Sequence, residues 1–488
     1  MKSIKANFIM NALLTMSSFI FPLITFPYVS RVLLPIGTGK VSFATSLISY
    51  FNMIAQLGIP TYGIRVCAMV RDDREQLSRT AQELLIINIC MSIVSYVALA
   101  FGLCFIPRLR EDRVLYVITS STIFLTAIGM EWLYKALEQY TYITIRSLCM
   151  KVIALVSMFL LVREQRDYVI YGVISVFASA FSNILNFYNV RKYIDVRPVG
   201  NYCLKRHLKP IGVFFAMACA TTIYGNLDTV MLGFMKTDID VGYYNAAVKI
   251  KNVLVSVVTS LGAVLLPRAS YYVEKGLMRQ FSEVTRKALN FVFIIAPALT
   301  VYFAIFAQSC VYLVSGMAYN NSILPMQIIM PTVFIIGISN ITGIQMLVPL
   351  GKEKIVLYSE IVGAIVNVCI NSLLIPQFAS AGAAIGTVIA ETVVLMVQLL
   401  SLKTTYSDAF KAVPYVKMGV GIIFAIVSSF WVRIVFIDDL LVLLLSAFLY
   451  WTVYIISLLI MKESMLIEVV KQLWGKLSSG VLKKNKKQ

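Results

Sequence analysis

The sequence predicts an all-α polytopic membrane protein with about fourteen transmembrane helices, built as two pseudo-symmetric six-helix lobes followed by two further helices. Three observations predict it. Of 488 residues, 59% are hydrophobic and 14% charged, where a soluble domain carries about 25% charged residues. Apolar runs of the roughly 20 residues needed to cross a bilayer core recur along the chain. The cations gather in alternate loops, as the positive-inside rule requires.

Read in order, the apolar windows fall at 8–34, 41–64, 81–106, 114–134, 143–162, 168–190, 211–235, 243–266, 289–315, 323–350, 355–376, 382–402, 418–437 and 440–461. Lys2 and Lys5 before Phe8 mimic a signal peptide. The run to Leu34 outlasts an h-region, and no small-residue cleavage site follows, so it reads as a retained first span. With the N-terminus placed in the cytoplasm, inside segments hold 30 Lys and Arg and outside segments 7. That imbalance expects both termini in the cytoplasm of a bacterial-type cytoplasmic membrane. One missed helix would scramble the alternation.

A short internal repeat supports two lobes. Gly39-Lys-Val-Ser-Phe-Ala44 opens the second span and Gly242-Tyr-Tyr-Asn-Ala-Ala247 the eighth. Gly172-Val-Ile-Ser and Gly386-Thr-Val-Ile open the sixth and twelfth. The expected organisation is an N-terminal lobe at 1–190, a cytoplasmic linker at 191–210, a C-terminal lobe at 211–402, two additional helices at 403–461 and a basic cytoplasmic tail at 462–488. Parallel repeats of this kind are a transporter signature, with the site between the halves.

Several function classes are excluded. The net charge of +19 sits in short loops between apolar runs, which speaks for membrane topology and against nucleic acid. The eight cysteines form no CxxC pair, and His207 is the single histidine, so neither a zinc site nor a disulfide framework is expected. No cofactor is expected beyond a coupling H⁺ or Na⁺. External loops are short, and no acid, base and nucleophile can be assembled, so the chain reads as no enzyme.

Ionisable and polar residues inside spans point to cavities or to partners. At 100° per residue, Asn245, Lys249, Asn252 and Ser256 share one face of the eighth span, with Lys251 about 200° from Lys249. Ser42, Ser46, Ser49 and Gln56 form a similar stripe on the second, Glu360, Asn367 and Asn371 on the eleventh, and Thr387, Glu391 and Gln398 on the twelfth. Such stripes either line a water-filled vestibule or hydrogen-bond between helices. Glu131 and Lys135 read as a local i, i+4 ion pair. Arg108, Arg110 and Arg113 read as solvated loop charges, while Lys251 and Arg433 could snorkel to an interface. Asp228, deep in the seventh span, could bind a proton or Na⁺, or pair with a lysine. Pro22, Pro27 and Pro60 are expected to bend their helices.

Five stretches carry a family likeness: Thr25-Phe-Pro-Tyr-Val-Ser-Arg-Val-Leu33, Gly58-Ile-Pro-Thr-Tyr-Gly-Ile-Arg65, Leu227-Asp-Thr-Val-Met-Leu-Gly233, Val241-Gly-Tyr-Tyr-Asn-Ala-Ala247 and Pro349-Leu-Gly-Lys-Glu-Lys354. With them the chain resembles the Wzx-type polysaccharide-transporter flippases of the MATE-like (MOP) superfamily over almost its whole length. The family's Gly-Pro-Glu-Gly-like turn is Leu34-Pro-Ile-Gly37 here, without the acid. The resemblance implies a V-shaped, two-lobed bundle working by alternating access. It implies a cargo of oligosaccharide linked through diphosphate to a polyprenyl lipid, with polysaccharide polymerase machinery as a further partner. A diphosphate cannot cross hydrocarbon bare, and arginines can replace its water with charge-assisted hydrogen bonds. Arg31, Arg65 and Lys249 are therefore expected on the diphosphate. Ser46, Ser49, Gln56, Asn245, Asn252, Asn367 and Glu391 are expected as polar cavity or sugar partners, and Asp228 as a coupling site. The alternatives are an ion-coupled multidrug exporter of the same fold, a peptidoglycan-precursor cargo, or a membrane glycosyltransferase or polymerase.

Overall fold

A computed structural model of the chain describes residues 4–402, 410, 413–468 and 471. All regular structure among them is helical. Lys2, Lys403, Lys411 and the tail from 472, all counted among the inside cations, lie outside the described residues. Two compact units emerge: Met1–Ala246 with Val368–Ala383, and Ala247–Asn367 with Ala384–Gln488.

The first unit begins with α1 (Ile4–Gln56), 53 residues long. A straight helix of that length would measure about 80 Å, more than twice a bilayer core of about 30 Å. It is broken at Leu34 (φ 58°, ψ 177°), where the following Pro35 disfavours helical geometry. This break stands where the sequence suggested a loop. A second break, at Leu57 and Gly58, interrupts the expected second span and starts α2 (Ile59–Met69). Then come α3 (Arg74–Phe105), α4 (Pro107–Arg110), α5 (Arg113–Gly129), α6 (Glu131–Ala136) and α7 (Tyr140–Leu161). The Asp73 carboxylate caps α3 by accepting from the Glu75 and Gln76 amides. Next, α8 (Tyr168–Val176) and α9 (Ser182–Asn189) flank a π-helical turn at Phe177–Phe181, and α10 (Lys205–Met235) follows.

Two contacts fix helix directions in this unit. The first half of α1 lies alongside α7, joined by Thr144 Oγ1 to Met10 O (2.9 Å), Lys151 Nζ to Ser17 Oγ (2.7 Å) and Tyr28 OH to Val162 O (2.8 Å). The numbering offset is 134 in each, so the two helices run parallel. The second contact explains the repeat. A Cβ on Gly39 would stand 1.7 Å from Asp238 O, and one on Gly242 would stand 2.1 Å from Pro35 O. Each repeat glycine thus meets the carbonyl four residues before the other, a reciprocal backbone crossing that admits no side chain.

The second unit holds most of α11 (Asp238–Glu274), then α12 (Met278–Ile305), α13 (Ala307–Ser315), α14 (Ile323–Ile329), α15 (Pro331–Asn340) with a π-helical extension at Ile341–Leu347, the two ends of α16 (Glu353–Leu402), whose Val368–Ala383 stretch belongs to the first unit, α17 (Tyr415–Ser429), α18 (Val432–Val435) and α19 (Asp439–Ile460). Buried tyrosines bind α12 to α19. Tyr450 OH donates to Ala298 O (3.0 Å), Tyr454 OH to Ile294 O (2.7 Å), and Tyr302 OH pairs with Ser446 Oγ (3.0 Å). One number rises as its partner falls, so α12 and α19 are antiparallel. The 50-residue α16 is broken at Ala379 (φ 47°), close to the gap expected between the eleventh and twelfth spans.

Among the described residues, nine helices are long and apolar enough to cross a membrane, or up to eleven if two bent pairs each count as one span. The protein is a multi-pass, all-α membrane protein.

Candidate functional site

The expected site residues fall in both units. In the first, Asp228 on α10 is the best-defined polar centre. Its Oδ2 accepts from Tyr244 OH and its Oδ1 from Asn371 Nδ2, both at 2.6 Å. Three helices thus converge on one carboxylate. Arg31 and Arg65 are both exposed. Arg31 Nη1 donates to Pro27 O at 2.6 Å. On the second half of α1, Ser49 Oγ donates to Ser46 O (2.6 Å), and Gln56 is buried with its Nε2 unpartnered. Asn245 bonds its own helix at Val241 O (3.0 Å).

In the second unit, Lys249 is half-buried and Asn252 exposed on the same face of α11. Asn367 and Glu391 are buried on α16, on either side of its break. Gln398, read with Glu391 as part of a wet stripe, accepts from Thr342 Oγ1 (2.6 Å) and donates to Ser359 Oγ (3.2 Å). That is helix-to-helix bonding, the other outcome such a stripe allows.

Three polar clusters were not assembled from sequence. Arg108 is no solvated loop charge: it pairs with Asp238 and with Glu111 (2.8 Å), and donates to Gly233 O (3.1 Å). Burial alone would lower its pKa, but the hydrogen bond and charge of Asp238 outweigh this and hold it above its ordinary value. Nearby, Asp112 accepts from Lys40 (2.8 Å) and Tyr168 (2.7 Å). Fully buried Glu83 on α3 gathers the Cys203 amide, Arg206 and His207 Nε2 (2.8 Å), while Tyr62 OH meets His207 Nδ1 (2.8 Å). This last cluster ties the linker and the start of α10 onto α2 and α3. Finally, Glu131 pairs with Lys135 (2.8 Å) as the spacing suggested, and also with buried Arg146 (3.4 Å). A lone acid in the third span and a lone histidine in the linker were the available signals for the Glu83 cluster. Nothing in the sequence links Arg108 to Asp238.

Among the described residues no group of three or more His, Cys, Asp or Glu could hold a metal ion. What the fold offers is a bundle of broken apolar helices carrying buried carboxylates, amides and cations. That combination defines a multi-pass helical membrane bundle. Residues 4–273 match the family described as "Polysaccharide biosynthesis protein", more than half of the chain, and the chain belongs to that family. A protein of Escherichia coli (strain K12) named "Putative O-antigen transporter" is 22% identical over 403 residues, covering 82% of this chain and 97% of that one. The fold is shared with the lipid II flippase MurJ in its inward closed conformation, at TM-score 0.72 and 14% identity over 91% of this chain and 98% of that one. It is also shared with an inward-facing MATE multidrug resistance transporter, at TM-score 0.63 and 14% identity over 80% and 95%.

Proposed function

We propose that the protein is a flippase that carries polyprenyl-diphosphate-linked oligosaccharide across the bacterial cytoplasmic membrane by alternating access, for surface polysaccharide synthesis. The observation that carries this reading is the family match joined to a relative named for O-antigen transport. The chain is read with fourteen spans and both termini in the cytoplasm. The breaks at Leu34 and Ala379 each turn one over-long helix into two crossings, and the parallel and antiparallel helix pairs agree with that parity.

Chemically, the cargo needs cations for its diphosphate and hydrogen-bonding groups for its sugars, while its lipid tail can stay in the bilayer. Exposed Arg31 and Arg65 and half-buried Lys249 are the proposed diphosphate contacts. Ser46, Ser49, Gln56, Asn245, Asn252, Asn367 and Glu391 are the proposed polar partners. Asp228, held by Tyr244 and Asn371, is the proposed coupling site for H⁺ or Na⁺. Carboxylates at membrane depth commonly serve as ion or proton relays.

The test is reconstitution in liposomes with polyprenyl-diphosphate oligosaccharide, following transfer with and without an ion gradient. Transfer that disappears in Arg31→Ala, with membrane insertion intact, supports the reading. No transfer of any such lipid, alongside gradient-driven efflux of a cationic dye, would replace it with the multidrug-exporter reading.

A further inference from the structure

Lys151 is a cation at membrane depth in α7 with no acid of its own. Its Nζ donates to Ser17 Oγ (2.7 Å) and Ser18 Oγ (3.0 Å) on α1. Both hydroxyls donate onward to Leu14 O, so their lone pairs face the ammonium. An ammonium has three N–H donors, and the third has no partner among the described residues. The carboxylate whose charge reaches Lys151 is Glu131. That carboxylate is already engaged by Lys135 (2.8 Å) and Arg146 (3.4 Å). One acid therefore serves three cations. Arg146 is 5% exposed, and its Nε has no hydrogen-bond partner. Its Nη1 reaches Asn183 Oδ1 only at 3.4 Å. A surplus of positive charge with unspent donors is costly in a membrane unless an anion completes it.

The helix beside Lys151 shows that this place is wet. On α1, Asn11, Thr15 and Ser18 are exposed and lie within about 60° of one another on a wheel. Ile9, Leu13, Met16 and Ile20 are exposed too, centred on the opposite side. A helix with one apolar and one polar exposed face meets lipid on the first and water on the second. Lys151 docks at Ser18, on the polar one.

We propose that Lys151, with Ser17, Ser18 and the Arg146–Glu131 pair, forms an intramembrane anion site in the first unit that receives a phosphate or carboxylate group of the cargo. Its assignment to cargo rests on the flippase reading; the site itself does not. Two sources supply such an anion: the diphosphate linkage, or an acidic sugar.

The experiment uses the full chain in detergent, with farnesyl diphosphate and glucuronate as probes and calorimetric titration as the readout. The expected result is that Lys151→Met weakens one of the two probes by about tenfold or more, the loss of one charge-assisted hydrogen bond. Lys151→Arg should hold the affinity within about threefold, because the charge remains. Weakened farnesyl diphosphate binding identifies the linkage as the anion, and weakened glucuronate binding identifies the sugar. An unchanged melting temperature certifies each variant. Lys151→Met binding both probes as tightly as the parent would overturn the proposal, as would a parent that binds neither. The liposome assay keeps the two readings apart. Flipping without Lys151-dependent binding sinks this site alone, and Lys151-dependent binding without flipping sinks the flippase reading alone.

Discussion

Adding one methyl group at Gly242 should disturb this protein more than most single substitutions. In Gly242→Ala the new Cβ would lie 2.1 Å from Pro35 O and 2.7 Å from Pro35 C, both backbone atoms with no rotamer to escape into. Restoring ordinary contact requires the two helix starts to separate by about 1 Å, and overpacking of that kind costs about 1–3 kcal/mol. If the crossing persists in every state, the whole cost falls on stability and the melting temperature drops. If it opens during transport, the cost falls on the crossed state alone, and the equilibrium moves roughly 5- to 150-fold toward the open one. Hydrogen exchange read by mass spectrometry over residues 35–44 and 238–246, beside melting in detergent, separates the two. Faster exchange at an unchanged melting temperature identifies a gate, and a lowered melting temperature identifies a permanent joint. Gly39→Ala, facing Asp238 O at 1.7 Å, should act in the same direction and more strongly. Parent-like melting and exchange in both variants would refute the reasoning.

Three other outcomes are expected. Arg108→Ala leaves the mostly buried Asp238 carboxylate without its cation and should cost about 2 kcal/mol in thermal unfolding; adding Asp238→Asn should recover part of that loss, because the orphaned charge goes with it. Asp228→Asn should leave the protein folded, since an amide still accepts from Tyr244, yet remove the dependence of liposome flipping on an H⁺ or Na⁺ gradient. Ala379→Gly should raise stability by about 1 kcal/mol, because Ala379 holds a left-handed φ of 47° that glycine adopts without strain; a lower melting temperature would show that the methyl group packs usefully there.

Membrane solvation made much of the fold legible. Each crossing must be helical and about 20 residues long, so apolar windows located the helices, and charge alternation predicted their directions. Within their units, α1 runs parallel to α7 and α12 antiparallel to α19. The repeat glycines at 39 and 242 were visible as letters, but their meaning was not: only packing shows that each excludes a side chain to admit the other's carbonyl. Chain breaks were harder to place. Leu34 and Ala379 carry no glycine to announce a left-handed backbone, and Leu57 falls inside an apolar window.

The sequence by itself determined the solvent, the helical class, the approximate spans and the set of intramembrane charges, because each follows from composition and local periodicity. The tertiary structure decided which charges have partners. Arg108 and Asp238 are 130 residues apart and Lys151 and Ser17 are 134, and no local pattern encodes such pairings. They arise when helices far apart in the chain are brought side by side, where low dielectric makes each pairing, or its absence, costly.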